Sequence, residues 1–387
     1  MSLYQKASLV QIPSGYKASS ANLYSVVPNS GDGDFTVSVD ADATRVNKDG
    51  LIESVAANQA RLNYDPTNPQ DPHLLLEPTR TNSVVQSNDL STTWVASSGV
   101  TLTANQSSPD GGTNAYKVEM TASGNRFLYI TGGTTGVEYT ISGYFRADTN
   151  TSIGFSDGNL SPNSIDLTTE WQRFTLTYTS GSSVLIQIDN YFGVSPTQEA
   201  KTFYAFGLQA EAGSYATSYI PTSGSAVTRT KDTAKIEPYT ALPSDYPLTV
   251  FWEGEIDDYQ VGQFVFSIFG TGSNAKYLGF SWSSANQIRL FRRSSTANDE
   301  DVVSFSSNQN TTYKVAVSFI SNTEAKVYIN GSLVYNLTSG LDVDYEFDSL
   351  LIGQQRVVSD SGFRNSAKQF MIFNEALTDA ELITLTT

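Results

Sequence analysis

The chain is expected to be all-β, folded as two antiparallel β-sandwich (jelly-roll) domains preceded by an extended N-terminal arm. Three observations predict this. Short stretches of alternating apolar and polar residues recur, as in Tyr139-Thr140-Ile141-Ser142-Gly143-Tyr144-Phe145 and Arg173-Phe174-Thr175-Leu176-Thr177-Tyr178, and antiparallel strands with one wet face must alternate this way. Aromatic residues make up 12% of the chain, chiefly 21 Tyr and 20 Phe, whose flat rings pack well on a half-buried pleated surface. Turn-forming Gly, with 28 copies, and clusters of Ser, Thr and Asn punctuate the strands, while no heptad pattern or long amphipathic helix appears. Single domains usually run to about 100–200 residues, so a chain of 387 residues is expected to hold two or three units.

Residues 1–73 are the least regular part. Turn signals at Pro13-Ser14-Gly15, Asn29-Ser30-Gly31-Asp32-Gly33-Asp34 and Lys48-Asp49-Gly50 separate short apolar runs, of which Phe35-Thr36-Val37-Ser38-Val39 alternates as a strand. Alone this arm could hardly bury a core. It is expected to lie on the next domain, a neighbouring copy or a shell protein, to be ordered only by that contact, and to be removable without unfolding the sandwiches.

Residues 74–229 read as the first sandwich, with strands near Leu74–Leu76, Ala115–Met120, Phe127–Thr131, Tyr139–Arg146, Gln172–Tyr178, Val184–Ile188 and Thr202–Gln209. Prolines and glycines around 213–247 predict a boundary, with 230–247 as a linker. Residues 248–387 read as the second sandwich. Its firmest local signal is Lys326-Val327-Tyr328-Ile329-Asn330-Gly331-Ser332-Leu333-Val334-Tyr335, where Asn-Gly between alternating runs predicts a type I′ hairpin because both turn residues need positive φ. Thr378 and Glu381 have capping-box spacing and predict one short C-terminal helix.

The net charge of -16, from 23 basic and 39 acidic residues, argues against nucleic-acid binding, which relies on clustered Lys and Arg. The densest basic group, Arg289, Arg292 and Arg293, is expected to pair with acids near Asp299–Asp301. No apolar run approaches the roughly 18 residues needed to cross a bilayer, and the first ten residues lack the pattern of a secretion signal, so neither a membrane span nor a cleaved leader is expected. Without any Cys, disulfides and thiolate chemistry are excluded.

Catalytic chemistry has little material. The single histidine, His73, sits between Pro72 and Leu74, which leaves Ser-His-Asp catalysis and multi-histidine metal sites unsupported. Glycoside hydrolysis needs two carboxylates, and the nearest approach is Glu253-Gly254-Glu255-Ile256-Asp257, whose three acids share a strand face; a solvated face is the stronger reading. The run Asp342-Val343-Asp344-Tyr345-Glu346-Phe347-Asp348 and the run Asn298-Asp299-Glu300-Asp301 offer oxygen ligands for a structural calcium ion, although a solvated edge outweighs that role too. No cofactor is otherwise expected, and no residue is assigned to a catalytic, metal or ligand site. Trp94, Trp171, Trp252 and Trp282 are available to stack on sugar faces, yet most are expected in the core, Trp171 because it precedes an alternating strand and Trp252 because it lies within an apolar one.

Two resemblances extend this reading. The hairpin Val327–Val334 and the ending Phe370-Met371-Ile372-Phe373-Asn374-Glu375-Ala376-Leu377-Thr378-Asp379-Ala380-Glu381-Leu382 resemble the laminin-G-like, concanavalin A-like sandwich family. The middle domain resembles a carbohydrate-binding-module-like sandwich found in phage structural proteins. It opens with Leu74-Leu75-Leu76-Glu77-Pro78-Thr79-Arg80-Thr81-Asn82 and closes with Phe206-Gly207-Leu208-Gln209-Ala210-Glu211-Ala212-Gly213-Ser214-Tyr215-Ala216-Thr217-Ser218-Tyr219-Ile220-Pro221-Thr222. Gly31–Val37 with Ala43–Ile52 is similar to the leader that precedes that module. The resemblance implies a non-enzymatic structural protein on the surface of a tailed-phage particle: a head decoration, head fibre or tail fibre. Attachment to a major capsid or tail protein would run through the arm, host-surface glycans would be a further partner, and a homo-oligomer, favoured as a trimer, would be the assembled form. The alternative is a carbohydrate-active enzyme or a dedicated receptor-binding adhesin.

Overall fold

The computed structural model describes residues 2–13, 23–26, 34–41, 43–65, 68–158, 163–191, 198–239, 242, 246–256, 264–270, 277–293, 298–309, 311–321, 323–338, 347–353 and 365–387. Of the described residues, 55% are strand and 4% helix, in predominantly antiparallel sheets that stack as sandwiches, as the alternating pattern predicts.

The middle sandwich pairs two five-stranded sheets. One runs, in spatial order, through Val100–Gln106, Ala115–Met120, Lys201–Ala212, Glu138–Arg146 and Gln172–Thr179; the other through Ser164–Leu167, Thr151–Ser156, Val184–Asp189, Phe127–Thr131 and Val95–Ala96. Alternate residues meet between the layers. Phe145 fills the centre, with its ring centroid 5.2 Å from Phe155 and 6.3 Å from Phe203, and all three are buried.

The C-terminal sandwich is larger. Its seven-stranded sheet runs through Asn298–Ser304, Gln287–Arg293, Tyr277–Ser284, Phe264–Phe269, Ser349–Ile352, Thr233–Ile236 and Thr36–Ser38. The facing sheet centres on Leu248–Ile256, held between Asn365–Phe373 and Thr311–Phe319. Trp252 and Trp282, both 0% exposed, meet across the core at 5.9 Å between ring centroids. Asn330 (φ 48°) and Gly331 (φ 79°) form the expected tight turn between Ala325–Ile329 and Ser332–Leu337. The C-terminal helix Asp379–Thr386 carries the expected capping box at Thr378 and Glu381 and buries Leu382.

Three expectations differ from the structure. The stretch 230–247, read as a linker, contains the strand Thr233–Ile236, which hydrogen-bonds between Ser349–Ile352 and Thr36–Ser38. Leu74–Leu76, read as the start of the middle sandwich, ends the strand Asn68–Leu76 and pairs with residues 365–367 of the C-terminal one. An unbroken apolar triplet signals a strand buried on both faces but carries no information on which sheet receives it. Finally, the described arm is not an appendage. Leu9–Gln11 pairs with residues 370–372, and Leu9 (0%), Phe35 (4%) and Leu62 (5%) sit inside the C-terminal core, so removing the arm would open that core rather than leave it folded.

The arm also reaches the other domain. Its hairpin, Thr44–Val46 with Ile52–Ser54, lays Ile52 against Ala115, Phe206 and Tyr219 on the outer face of the middle sandwich. Residues 44–77 therefore bridge both sandwiches, and the site lies at that bridge.

Candidate functional site

The bridge rests on a buried ionic cluster. Glu77 follows the strand Asn68–Leu76, and its Oε2 accepts from Arg61 at 2.8 Å and from Arg229 at 2.7 Å. Arg61 also pairs with Asp232, and the backbone N–H of Glu77 donates to Asp232 Oδ2 at 2.8 Å. The side chains of Arg61, Glu77, Arg229 and Asp232 joined in these pairs are 0% exposed. Two cations and two carboxylates balance, as burial of charge requires. Burial alone would favour a neutral Arg61, but Asp232 and Glu77 outweigh it and push its pKa above the usual value. Ser218 ties the cluster to the closing segment, donating to Glu77 from its N–H at 2.8 Å and from Oγ at 2.6 Å. Asn82 makes a parallel tie: Nδ2 donates to the Ile220 carbonyl at 2.9 Å, and Oδ1 accepts from the N–H groups of Val84 and Ala210, both at 3.1 Å. The opening and closing segments of the middle domain, distant in sequence, are thus one clasp.

Against this clasp lies a cavity of about 450 Å³, lined by all three parts of the chain. Its volume falls within the range of about 300–1,000 Å³ common for small-molecule sites. The arm contributes Thr44, Arg45, Asn63 and His73; the middle sandwich contributes Tyr144, Trp171, Arg173 and Tyr219; the C-terminal sandwich contributes Glu255 and Ser366.

The aromatic wall is built on the outer face of one five-stranded sheet, with Tyr144 from the sheet, Trp171 at the start of its edge strand and Tyr219 from the closing segment packed against it. Tyr144 and Trp171 are half-buried, and Trp171 has the Arg146 guanidinium 5.5 Å from its ring centre. Tyr219 is buried, packs in a tilted arrangement against Phe206 with 5.4 Å between ring centroids, and shares a 2.6 Å hydrogen bond with Ser87. Burial pushes its phenol pKa up, so it stays neutral. These rings offer apolar faces beside polar edges.

The polar groups differ in what they have left to give. Arg45 is committed to Glu53 at 2.6 Å. Partial burial alone would raise the Glu53 carboxyl, but hydrogen bonds from Asn47 and Arg45 bring it below its usual range. Asn63 Nδ2 lies 3.2 Å from His73 Nε2, and its Oδ1 accepts from the N–H of Val46 at 2.8 Å. Arg173 donates from one terminal nitrogen to Ser142 Oγ at 2.9 Å and to the Thr217 carbonyl at 2.7 Å, while its Nε is buried without an acceptor. Glu255 is half-buried on the central strand Leu248–Ile256 and has no hydrogen bond or ion pair among the described residues.

Other residues singled out from sequence fall elsewhere. Trp94, Trp252 and Trp282 are buried; Trp94 donates from Nε1 to the Gln86 carbonyl at 2.9 Å. Trp171, expected in the core, lines the cavity instead, because it lies at the start of an edge strand, on the outer face of its sheet. Glu253 shares the strand of Glu255 without lining the cavity, and Asp257 lies outside the described residues. In the run 342–348, only Phe347 and Asp348 are described; the Asp348 carboxylate accepts from Ser349 Oγ at 2.8 Å. Glu300 pairs with Arg289 at 2.7 Å and Asp301 with Arg292 at 2.6 Å, the arginine pairing expected of this sheet edge. The Arg293 side chain lies outside the described residues, and no group of three metal-ligating side chains occurs among the described ones. Arg173 carried no sequence signal, and Glu255 stood out only as one of three acids on a strand face; nothing local to either strand pointed to a cavity shared with the other domain.

Comparison with known proteins agrees with the C-terminal fold. Residues 229–383 match the model of the concanavalin A-like lectin/glucanases superfamily, in its laminin-G type, so this sandwich has a lectin-like fold. The match begins at Arg229 and thus includes the strand Thr233–Ile236. Among solved structures, the sialidase carbohydrate-binding module of Ruminococcus gnavus bound to α2,3-sialyllactose is 16% identical, with 37% of this chain and 84% of that one covered and a TM-score of 0.32. Domain 4 of an extracellular arabinanase from Geobacillus stearothermophilus, in complex with arabinotriose, is 17% identical over 41% of this chain and 73% of that one, with a TM-score of 0.33. A SAP-like pentraxin from Limulus polyphemus is 19% identical over 38% and 72%, with a TM-score of 0.31. At such identity and overlap, the ligands of those proteins say nothing of this one. No curated protein matches the chain.

Proposed function

We propose that this protein is a non-catalytic surface component of a tailed-phage particle, a head decoration, head fibre or tail fibre, whose lectin-like sandwiches bind host-surface glycans. One observation carries the glycan reading: the cavity joins an aromatic wall of Tyr144, Trp171 and Tyr219 to two charged groups that have no opposite charge beside them, Arg173, which bonds only to neutral oxygens, and Glu255. Sugars present apolar faces and hydroxyl edges, and this lining answers both. The lectin-like fold of residues 229–383 supports the same class. Support for the particle reading is the clasped pair of segments through which the middle domain resembles phage modules.

A hydrolase would need two free carboxyl groups flanking the scissile bond, one to protonate the leaving oxygen and one to act as base or nucleophile. Of the two acids lining the cavity, Glu77 is locked by Arg61 and Arg229, which leaves Glu255 alone. Contact with a capsid or tail protein is assigned to residues 1–73, which carry Tyr4, Ile12 and Leu51 among the exposed large apolar side chains. Assembly as a homo-oligomer, with a trimer favoured, belongs to the same proposal.

Mass spectrometry of purified particles tests the location, and a glycan array of the full chain tests the binding. Absence from particles removes the virion role. An array without signal removes the glycan role.

A further inference from the structure

We infer that the cavity between the sandwiches selects an uncharged pyranose over acidic or amino sugars; this deepens the glycan reading and rests on it. The lining balances its charges locally except at two points. Arg45 is matched by Glu53, and Glu77 by Arg61 and Arg229. What remains is Arg173, whose hydrogen bonds go only to neutral oxygens and whose Nε is buried without an acceptor, and Glu255, which is without a partner among the described residues.

An arginine can only donate and an ionised glutamate can only accept. A sugar carboxylate would gain Arg173 but face Glu255 across a confined space, and an ammonium group would meet the reverse conflict. In a low-dielectric cavity such a like-charge contact is costly, so each charged class loses at one group what it gains at the other. A hydroxyl both donates and accepts, so neighbouring hydroxyls of one neutral ring satisfy both groups at once. Trp171, half-buried at the cavity wall, supplies the face on which the ring stacks.

The test is an array of neutral, sialylated, uronic-acid and amino-sugar glycans against the full chain and its Trp171→Ala and Glu255→Gln variants, with melting curves to establish that each variant is folded. Neutral glycans should bind at least about tenfold more tightly than their acidic counterparts, a difference set by one charged contact. Trp171→Ala should abolish that binding, and Glu255→Gln should weaken neutral glycans while narrowing the gap to acidic ones. Acidic or amino glycans that bind best, and lose binding in Trp171→Ala, overturn the neutral selectivity while leaving the cavity as the glycan site. No binding at all, or binding that a folded Trp171→Ala retains, overturns both.

Discussion

The Glu77 carboxylate accepts a 2.7 Å hydrogen bond from Arg229, 152 residues further along the chain, with both side chains wholly buried. Removing one partner of such a pair leaves an uncompensated charge in the interior. Arg229→Met is therefore expected to cost about 3–5 kcal/mol, read as a lowered urea midpoint. A variant as stable as the parent would mean that the clasp does not hold the sandwiches together.

The two tryptophans of opposite surroundings should separate fold from site. Trp252 is 0% exposed at the centre of the C-terminal core, and Trp252→Ala is expected to cost about 3–5 kcal/mol. Trp171 is half-buried at the cavity wall, so its truncation should leave the melting temperature within a few degrees of the parent. Calorimetric scans of the two variants make the comparison, and equal losses would move Trp171 into the structural core.

Leu9, from the N-terminal segment, is fully buried among residues of the C-terminal sandwich. Leu9→Ala should destabilise that sandwich by about 2–5 kcal/mol. Intrinsic tryptophan fluorescence follows it, because Trp252 and Trp282 share the same core. An unchanged unfolding curve would mean that the segment is dispensable after all.

Acid should loosen the contact between the short N-terminal helix Leu3–Lys6 and the C-terminal helix Asp379–Thr386. Lys6 Nζ lies 2.5 Å from Glu381 Oε1, and Lys6 together with the capping residue Thr378 lowers the Glu381 pKa from 4.5 to about 2. A carboxyl lowered on folding stabilises the folded state above its unfolded value and loses that contribution as protons bind. The contribution is thus complete above pH 4.5 and fades as the pH falls towards about 2. Lys6→Met should flatten the melting-temperature profile in that window: its loss, small because the pair is part-exposed, appears in full above pH 4.5 and vanishes towards about pH 2. A profile of unchanged slope would remove the pair from the acid response.

Gly331 occupies the second turn position at φ 79°, and an added Cβ would stand 3.0 Å from Thr387 Oγ1. Gly331→Ala is expected to cost about 1 kcal/mol through the left-handed backbone alone, measured by chemical denaturation. A stabilised variant would show that the turn tolerates a side chain.

Local chemistry made most strands legible. Ala115–Met120 and Phe127–Thr131 have the expected bounds, because their alternation reflects burial that each strand states in its own residues. The Asn330-Gly331 turn and the Thr378–Glu381 cap were equally plain, since their hydrogen bonds span four residues or fewer. Strands with weaker patterns were missed. Val100–Gln106 is an edge strand with no fully buried residue, and Thr151–Ser156 opens with two polar residues, so neither announces a core.

Sequence by itself therefore determined the all-β class, the two hydrophobic cores, the lack of thiol chemistry and the pairing of opening with closing segment as a marker. Only the tertiary structure decided where residues 1–76 go, that residues 233–236 form a strand rather than a linker, and that Arg173 and Glu255 line one cavity. The reason is physical: periodicity records whether a side chain is buried, whereas the partner of a strand edge or a buried charge is set by groups many tens of residues away. A cavity walled by three chain segments has no local signature, because no one segment contains enough of it.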